Sequence, residues 1–164
     1  MEPVTVSTSI SRPREEVFEY LADIANHAEF TDHFRKDFRL TREQSVGRGA
    51  GARFRASAPL TRFPWADVVL AEVEPPFRIA EVGHWGKYNR VPIHGEYRLD
   101  PAGAGSTRVS LTFETDPPLI TDRLIESLGT RRWVKRQNAK ALRRLRNILE
   151  EDLDRGRRAT LAGG

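Results

Sequence analysis

The segment from Leu119 to about Arg155 constrains this chain most. It reads as a helix with one apolar face, and it follows about six strand-like runs. With Leu145 at the centre of a 3.6-residue wheel, Val134, Asn138, Ala141, Leu142, Ile148 and Leu149 share its side, and Arg136, Lys140, Arg143, Asn147 and Glu150 fall opposite. Such a face must lie against another apolar surface, and the only large one upstream is a sheet. Asn138 stands alone as a polar residue in the apolar stripe. A continuous helix over this span would be about 50 Å long, more than a small domain, so Gly129 is the expected kink or break.

The period is two almost everywhere before that point. Val4, Val6, Thr8 and Ile10 alternate with Thr5, Ser7 and Ser9, as in a half-buried strand. Ser11 reads as an N-cap with Pro13 in the first turn, and Val17, Phe18, Leu21 and Ile24 give the helix that follows an apolar side. A second short helical piece is expected to carry Phe30 and Phe34. Strands are then expected from Phe38 and Leu40, over Ala52–Ala56, Trp65–Val73, Phe77–Trp85, Val91–Leu99 and Arg108–Thr115. Glycines at 47, 49 and 51, Pro75-Pro76, a turn at Gly86–Asn89 and Asp100–Gly105 separate them. These connections are too short for parallel crossovers, so the strands form antiparallel hairpins. The expected architecture is α+β: a strand, two small helices, about six more strands, and a long helix. Residues 1–155 form one domain, with 156–164 as a flexible tail.

Composition narrows the functional classes. The chain has 164 residues, 38% hydrophobic and 30% charged, and no cysteine, which excludes disulfides and thiolate zinc sites. No apolar run approaches the roughly 20 residues needed to span a bilayer, and no secretion signal opens the chain; a cytoplasmic location is expected. The net charge of +4 is local. Arg131, Arg132, Lys135, Arg136, Lys140, Arg143, Arg144 and Arg146 follow one another without an acid. A solvated helix face explains them without a partner, so no specific nucleic acid is expected.

Three stretches carry a family resemblance. SISRPREEVFEYLADIANHAEF resembles an opening strand and helix pair, VVLAEVEPPFRIAEV a central hairpin, and YRLDPAGAGSTRVSLTFE a late hairpin, of the polyketide cyclase/START-like (SRPBCC) superfamily. The similarity covers about residues 4 to 153. It implies the helix-grip, or Bet v 1-like, fold: a curved antiparallel sheet of about seven strands around a long C-terminal helix, enclosing a cavity. Members bind lipids, sterols, polyketides, quinones or plant hormones, and some catalyse ring closure or dehydration.

The candidate ligand-binding residues are Phe30, Phe34, Phe54, Trp65, Glu81, Trp85, Tyr88, Tyr97, Phe113, Arg131, Val134, Asn138 and Leu142. Asn138 is the sharpest, because an amide on an apolar face must find hydrogen bonds; a ligand on one side, and the sheet backbone or a buried water on the other, are equal candidates. Arg131 is placed to grip a carboxylate or to reach solvent at the rim. Tyr88 and Tyr97 add hydroxyls to aromatic walls. Glu81 shares a strand face with Ile79, unusual for a carboxylate, and either pairs with Arg53 or Arg55 or is exposed at a bulge. His84 and His94 are candidate bases on neighbouring strands, with an outward His94 favoured. The four histidines lack metal spacing, so neither a metal nor a cofactor is expected. Three functions remain: a carrier or sensor of an apolar small molecule, a polyketide-type cyclase, aromatase or dehydratase, and a surface module using the basic helix face against RNA, ribosomes or anionic lipid. A monomer or homodimer fits all three.

Overall fold

The computed structural model describes residues 1–162, so Gly163 and Gly164 of the expected tail lie outside the described residues. β1 spans Val4–Ile10 and leads into α1, Arg14–Ala22, and after a 3₁₀ turn at Ile24–Asn26 into α2, His27–Thr31. Six strands follow: β2 (Arg35–Leu40), β3 (Gly51–Ala56), β4 (Trp65–Glu74), β5 (Arg78–Trp85), β6 (Val91–Pro101) and β7 (Thr107–Thr115). α3 (Ile120–Ser127) and α4 (Thr130–Glu151) close the fold. The sheet is seven-stranded in the order β1-β7-β6-β5-β4-β3-β2, and every pairing is antiparallel. β2 to β7 form a meander of hairpins, and β1 joins at the far edge beside β7. This is the expected α+β helix-grip architecture.

The long helical segment breaks where expected. Gly129 separates α3 from α4 with φ 105°, a left-handed conformation that glycine adopts without strain. α4 buries Val134, Asn138, Ala141, Leu142, Leu145 and Ile148 against the curled sheet, as the wheel predicts, while Arg136, Lys140 and Arg143 face out. Burial of each large aliphatic side chain there contributes about 1.5–3 kcal/mol.

Four local expectations change. Ser11 does not cap α1, which starts after Pro13; its backbone N–H instead donates to the Glu150 carboxylate at 2.7 Å. Phe34 lies beyond α2, in the turn before β2. β2 begins at Arg35 rather than near Phe38, because an irregularity between Lys36 and Arg39, with Asp37 at φ 51°, re-phases the strand. The segment after residue 155 does not trail loosely up to Thr160. The Gly156 N–H donates to the Glu29 carbonyl, the Ala159 N–H to the Ala25 carbonyl, and the Leu40 N–H to the Thr160 carbonyl. Arg155 pairs with Glu29 and Arg158 with Asp23, both at 2.5 Å. Ala159 is buried, so this segment straps α1 and α2 onto the body.

The helix–sheet contact generates a stability prediction. Leu145 is fully buried at its centre, and Leu145→Ala is expected to destabilise by about 2–5 kcal/mol in chemical denaturation. Arg143→Ala, on the exposed side, is expected to change stability by less than about 0.5 kcal/mol.

Candidate functional site

Between the sheet and the first half of α4 lies a cavity of about 40 Å³. Phe34, Phe54 and Ala66 wall it on the β2–β4 side, Trp85, Ile93 and Phe113 on the β5–β7 side, and Trp133, Val134 and Asn138 from α4. The Phe34 and Trp133 rings meet edge-on with centroids 5.8 Å apart. The Asn138 amide makes no hydrogen bond within the described residues, although the residue is buried. The side chain therefore lines an apolar chamber without a sheet-backbone partner.

The second polar feature is Arg35, which also lines the cavity. Its guanidinium donates from Nη2 to Glu81 Oε1 at 2.8 Å and lies over the Phe54 ring, 4.7 Å from the centroid. Both partners are almost fully enclosed. Glu81 reaches this position because Gly95 lies opposite it across β5 and β6, where an added Cβ would meet Glu81 Cγ at 2.7 Å. Behind the pair, buried His27 donates from Nε2 to the Leu21 carbonyl at 2.8 Å when neutral, and Nδ1 faces Glu81 Oε2 at 3.8 Å. Tyr97 packs edge-on against His27. Four buried atoms of this cluster lack partners among the described residues: His27 Nδ1, Arg35 Nη1, Glu81 Oε2 and the Tyr97 hydroxyl. Trp85 Nε1 is a fifth such atom, on the cavity wall.

Burial acts on every charge in the cluster, and the pair decides the outcome. Burial, the largest single influence, pushes the Glu81 pKa up, but the charge and hydrogen bond of Arg35, with the neighbouring histidines, together hold the carboxyl below its usual range. Arg35 is likewise held above its ordinary value by Glu81, against its own desolvation. Burial pushes His27 below its ordinary value despite the neighbouring Glu81, and pushes the Tyr97 hydroxyl up, with Glu81 adding to the effect. His27 is thus a neutral support at pH 7. His33, half-buried and beside Arg144, is lowered to about 4, chiefly by burial.

The expected site residues divide into three groups. Phe34, Phe54, Trp85, Phe113, Val134 and Asn138 line the cavity. Glu81 and Tyr97 lie behind Arg35 in the buried cluster, and the Glu81 partner is Arg35 instead of Arg53 or Arg55, which pair with Asp67 and Asp37 outside. The rest do not reach the cavity. Phe30 fills the core against Tyr20 and His27, and Leu142 is likewise core. Trp65 is half-buried beside Arg53 and Arg39. Tyr88 is 85% exposed at the tip of a 3₁₀ turn, and Arg131 is exposed with a 3.3 Å bond to the Pro3 carbonyl. His84 and His94 line an open groove of about 1200 Å³, not the cavity, although the two share Met1, Ile93 and Thr115, and His94 lies 3.5 Å from Glu114. Two residues of the cluster, Arg35 and His27, escaped the sequence reading. Arg35 is out of phase with Phe38 and Leu40, and only the bulge at Asp37 turns it inward.

Removing one member of the buried pair exposes its worth. Glu81→Leu leaves the Arg35 charge buried and unpaired, and is expected to destabilise by about 3–5 kcal/mol. Arg35→Met with Glu81→Leu is expected to recover most of that loss in chemical denaturation. The pH dependence follows from His27 and Glu81. A histidine whose folded pKa is depressed binds its proton more readily when unfolded, so stability falls as pH drops below the unfolded value near 6.5, by up to about 1.4 kcal/mol per pH unit. The Glu81 contribution is present above the unfolded carboxyl pKa and is lost on acidification through its lower folded pKa. Denaturation between pH 7 and 5 is expected to show the first slope in the wild type and a shallower one in His27→Gln.

A family model described as polyketide cyclase/dehydrase and lipid transport matches residues 1–150. Among curated proteins, none matches the sequence significantly. Solved structures share the fold at low identity. Truncated norcoclaurine synthase from Thalictrum flavum is 11% identical, with a TM-score of 0.69 over 92% of this chain and 94% of the other. The Zhui aromatase/cyclase from Streptomyces sp. R1128 is 17% identical, with a TM-score of 0.66 over 93% and 98%. A Thermus thermophilus protein is 16% identical, with a TM-score of 0.67 over 88% and 94%. The sequence match over residues 1–150 and the sheet wrapped on α4 lead to one conclusion: this chain belongs to the polyketide cyclase/dehydrase and lipid transport family.

Proposed function

We propose that the protein binds an apolar or aromatic small molecule between the sheet and α4, and acts as a carrier or sensor. The observation that carries this reading is Asn138, a buried residue on the wall of an apolar chamber whose amide makes no hydrogen bond among the described residues. Arg35 Nη1 and Trp85 Nε1, also without partners there, add two donors to the same wall, so a ligand oxygen would complete the chamber. A surface recess of about 170 Å³ lies beside the cavity and shares Trp85 and Thr130 with its wall. That recess offers room for the body of a ligand whose polar end reaches Asn138. Membership of a family that includes lipid transport supports the same reading.

The second reading is a polyketide-type cyclase, aromatase or dehydratase, supported by the family description and by the fold shared with the Streptomyces aromatase/cyclase. Carriage is favoured over it because no carboxylate or imidazole among the described residues lines the cavity. Glu81 is bound to Arg35, and His84 and His94 lie on the outer groove. A surface role for the basic face of α4 would show itself as binding that collapses with salt. We place the protein in the cytoplasm, as a monomer or homodimer. No helix among the described residues is long and apolar enough to cross a membrane.

Titration with N-phenyl-1-naphthylamine, an apolar fluorescent probe carrying one N–H, tests the ligand reading. Asn138→Leu is expected to weaken probe binding by about 1–3 kcal/mol with the melting temperature little changed. A melting shift with unaltered affinity would assign Asn138 to structure alone.

A further inference from the structure

The recess beside the cavity has an exposed apolar rim drawn from three separate segments. Leu60 and Phe63, in the β3–β4 loop, are 68% and 47% exposed. Ile125 of α3 lines the same recess and is 42% exposed. Tyr88, still more exposed, is joined to the rim through Lys87, whose ammonium lies 5.1 Å from the Tyr88 ring centroid and 5.8 Å from that of Phe63. α3 extends the surface. Ile120, Leu124 and Leu128 recur every four residues and all are exposed, and Ile125 is one helical turn from Leu128. α3 is amphipathic in the inverted sense. Among its residues, polar Glu126 is the buried one, bonded to the Thr115 hydroxyl at 2.7 Å, while its apolar stripe faces solvent. Isolated exposed apolar side chains are ordinary, but a contiguous set around a cavity mouth is not.

Charge identifies what covers it. Two carboxylates of the recess are engaged, Asp122 by Arg90 at 2.6 Å and Glu126 by Thr115. Arg62 and Lys87 on the rim have no carboxylate partner among the described residues. Exposed cations continue along α4 from Arg132 through Lys135 and Arg136. A second copy of the chain meeting this face about a two-fold axis would set these cations against one another. An anionic bilayer satisfies both components: apolar side chains enter the acyl boundary, and the lysine and arginine heads stay at the phosphates. We infer that the rim formed by Leu60, Phe63, Tyr88 and the outer face of α3 docks on an anionic lipid surface. The mouth of the cavity then opens onto the bilayer, and an apolar ligand passes between the two without crossing water. This loading role rests on the ligand-binding reading; the docking surface stands apart from it.

Co-sedimentation of the full chain with vesicles of phosphatidylcholine alone, and of phosphatidylcholine mixed with phosphatidylglycerol, tests the inference. Binding at least about tenfold stronger to the mixed vesicles is expected, and Leu124→Asp and Phe63→Asp are each expected to weaken it by about tenfold or more. Leu153→Asp, an exposed leucine at the far end of α4, is the control and is expected to leave binding unchanged. Free glycerol phosphate is expected not to release the protein; release would mean that a soluble phosphate site had been measured. Binding lost on Arg136→Glu with Lys140→Glu but kept in Leu124→Asp and Phe63→Asp would overturn the assignment in favour of the α4 face. A dimer in sedimentation that Leu124→Asp dissolves would assign the rim to a second copy. Probe uptake in vesicle-free solution separates the two readings: a protein that binds the naphthylamine but no vesicles retains its cavity function and loses this surface.

Discussion

Burial of Arg35 against Glu81 ties the sheet, the small helices and the cavity together. A guanidinium and a carboxylate held out of water lose several kcal/mol of hydration each, and only close pairing repays that. The pair therefore demands a fixed geometry around it. Gly95 must lack a side chain so that Glu81 fits, the strand at Asp37 must bulge so that Arg35 turns inward, and Phe34 and Phe54 must lie beside the guanidinium. His27, lowered by burial, stays neutral behind it and adds no third charge. One ion pair thus sets the register of β5 against β6 at Glu81 and the phase of β2, and it presents a donor, Arg35 Nη1, at the cavity wall.

Much of the fold was legible in the sequence because its signals are periodic. The change from period two to period 3.6 separates strands from the final helix, and Gly129 marks the break because a left-handed residue between two helices favours glycine. Asn138 stood out because an amide on an apolar stripe contradicts its surroundings. Arg35 and His27 did not, since their burial depends on a bulge and on tertiary pairing that local pattern does not encode. The same limit applies to the strap at residues 156–160. Its Gly-Arg-Arg composition resembles a tail, and what holds it is backbone hydrogen bonding with distant residues, burial of Ala159, and Arg155 and Arg158 reaching Glu29 and Asp23. Trp65 and Tyr88 were misplaced for the converse reason, since an aromatic residue suits a cavity wall and an exposed rim equally well.

The chamber and its covering are built on different principles. α4 is held by apolar burial at Val134, Ala141, Leu142, Leu145 and Ile148, and that attachment is insensitive to salt and strong per residue. α3, which carries Ile125 at the mouth, is held by polar contacts: Arg90 to Asp122, Glu126 to Thr115, and the Arg123 side chain to the Pro117 carbonyl. The Arg90–Asp122 pair is partly exposed, and such pairs hold weakly; Glu126 is buried and also pairs with the Met1 ammonium at 2.9 Å, which anchors the C-terminal end of α3 to the body. The N-terminal end of α3, held by the partly exposed Arg90–Asp122 pair, is therefore its more loosely attached end. A cavity of about 40 Å³ is too small for an aromatic ring, so a ligand must lie partly in the recess beneath α3 or move that helix aside. Outward apolar residues on α3 weaken its hold on the body and strengthen its attraction to any apolar surface outside. A lipid surface that engaged Ile120, Leu124 and Leu128 would therefore pull α3 outward against its partly exposed Arg90–Asp122 pair, beside the recess.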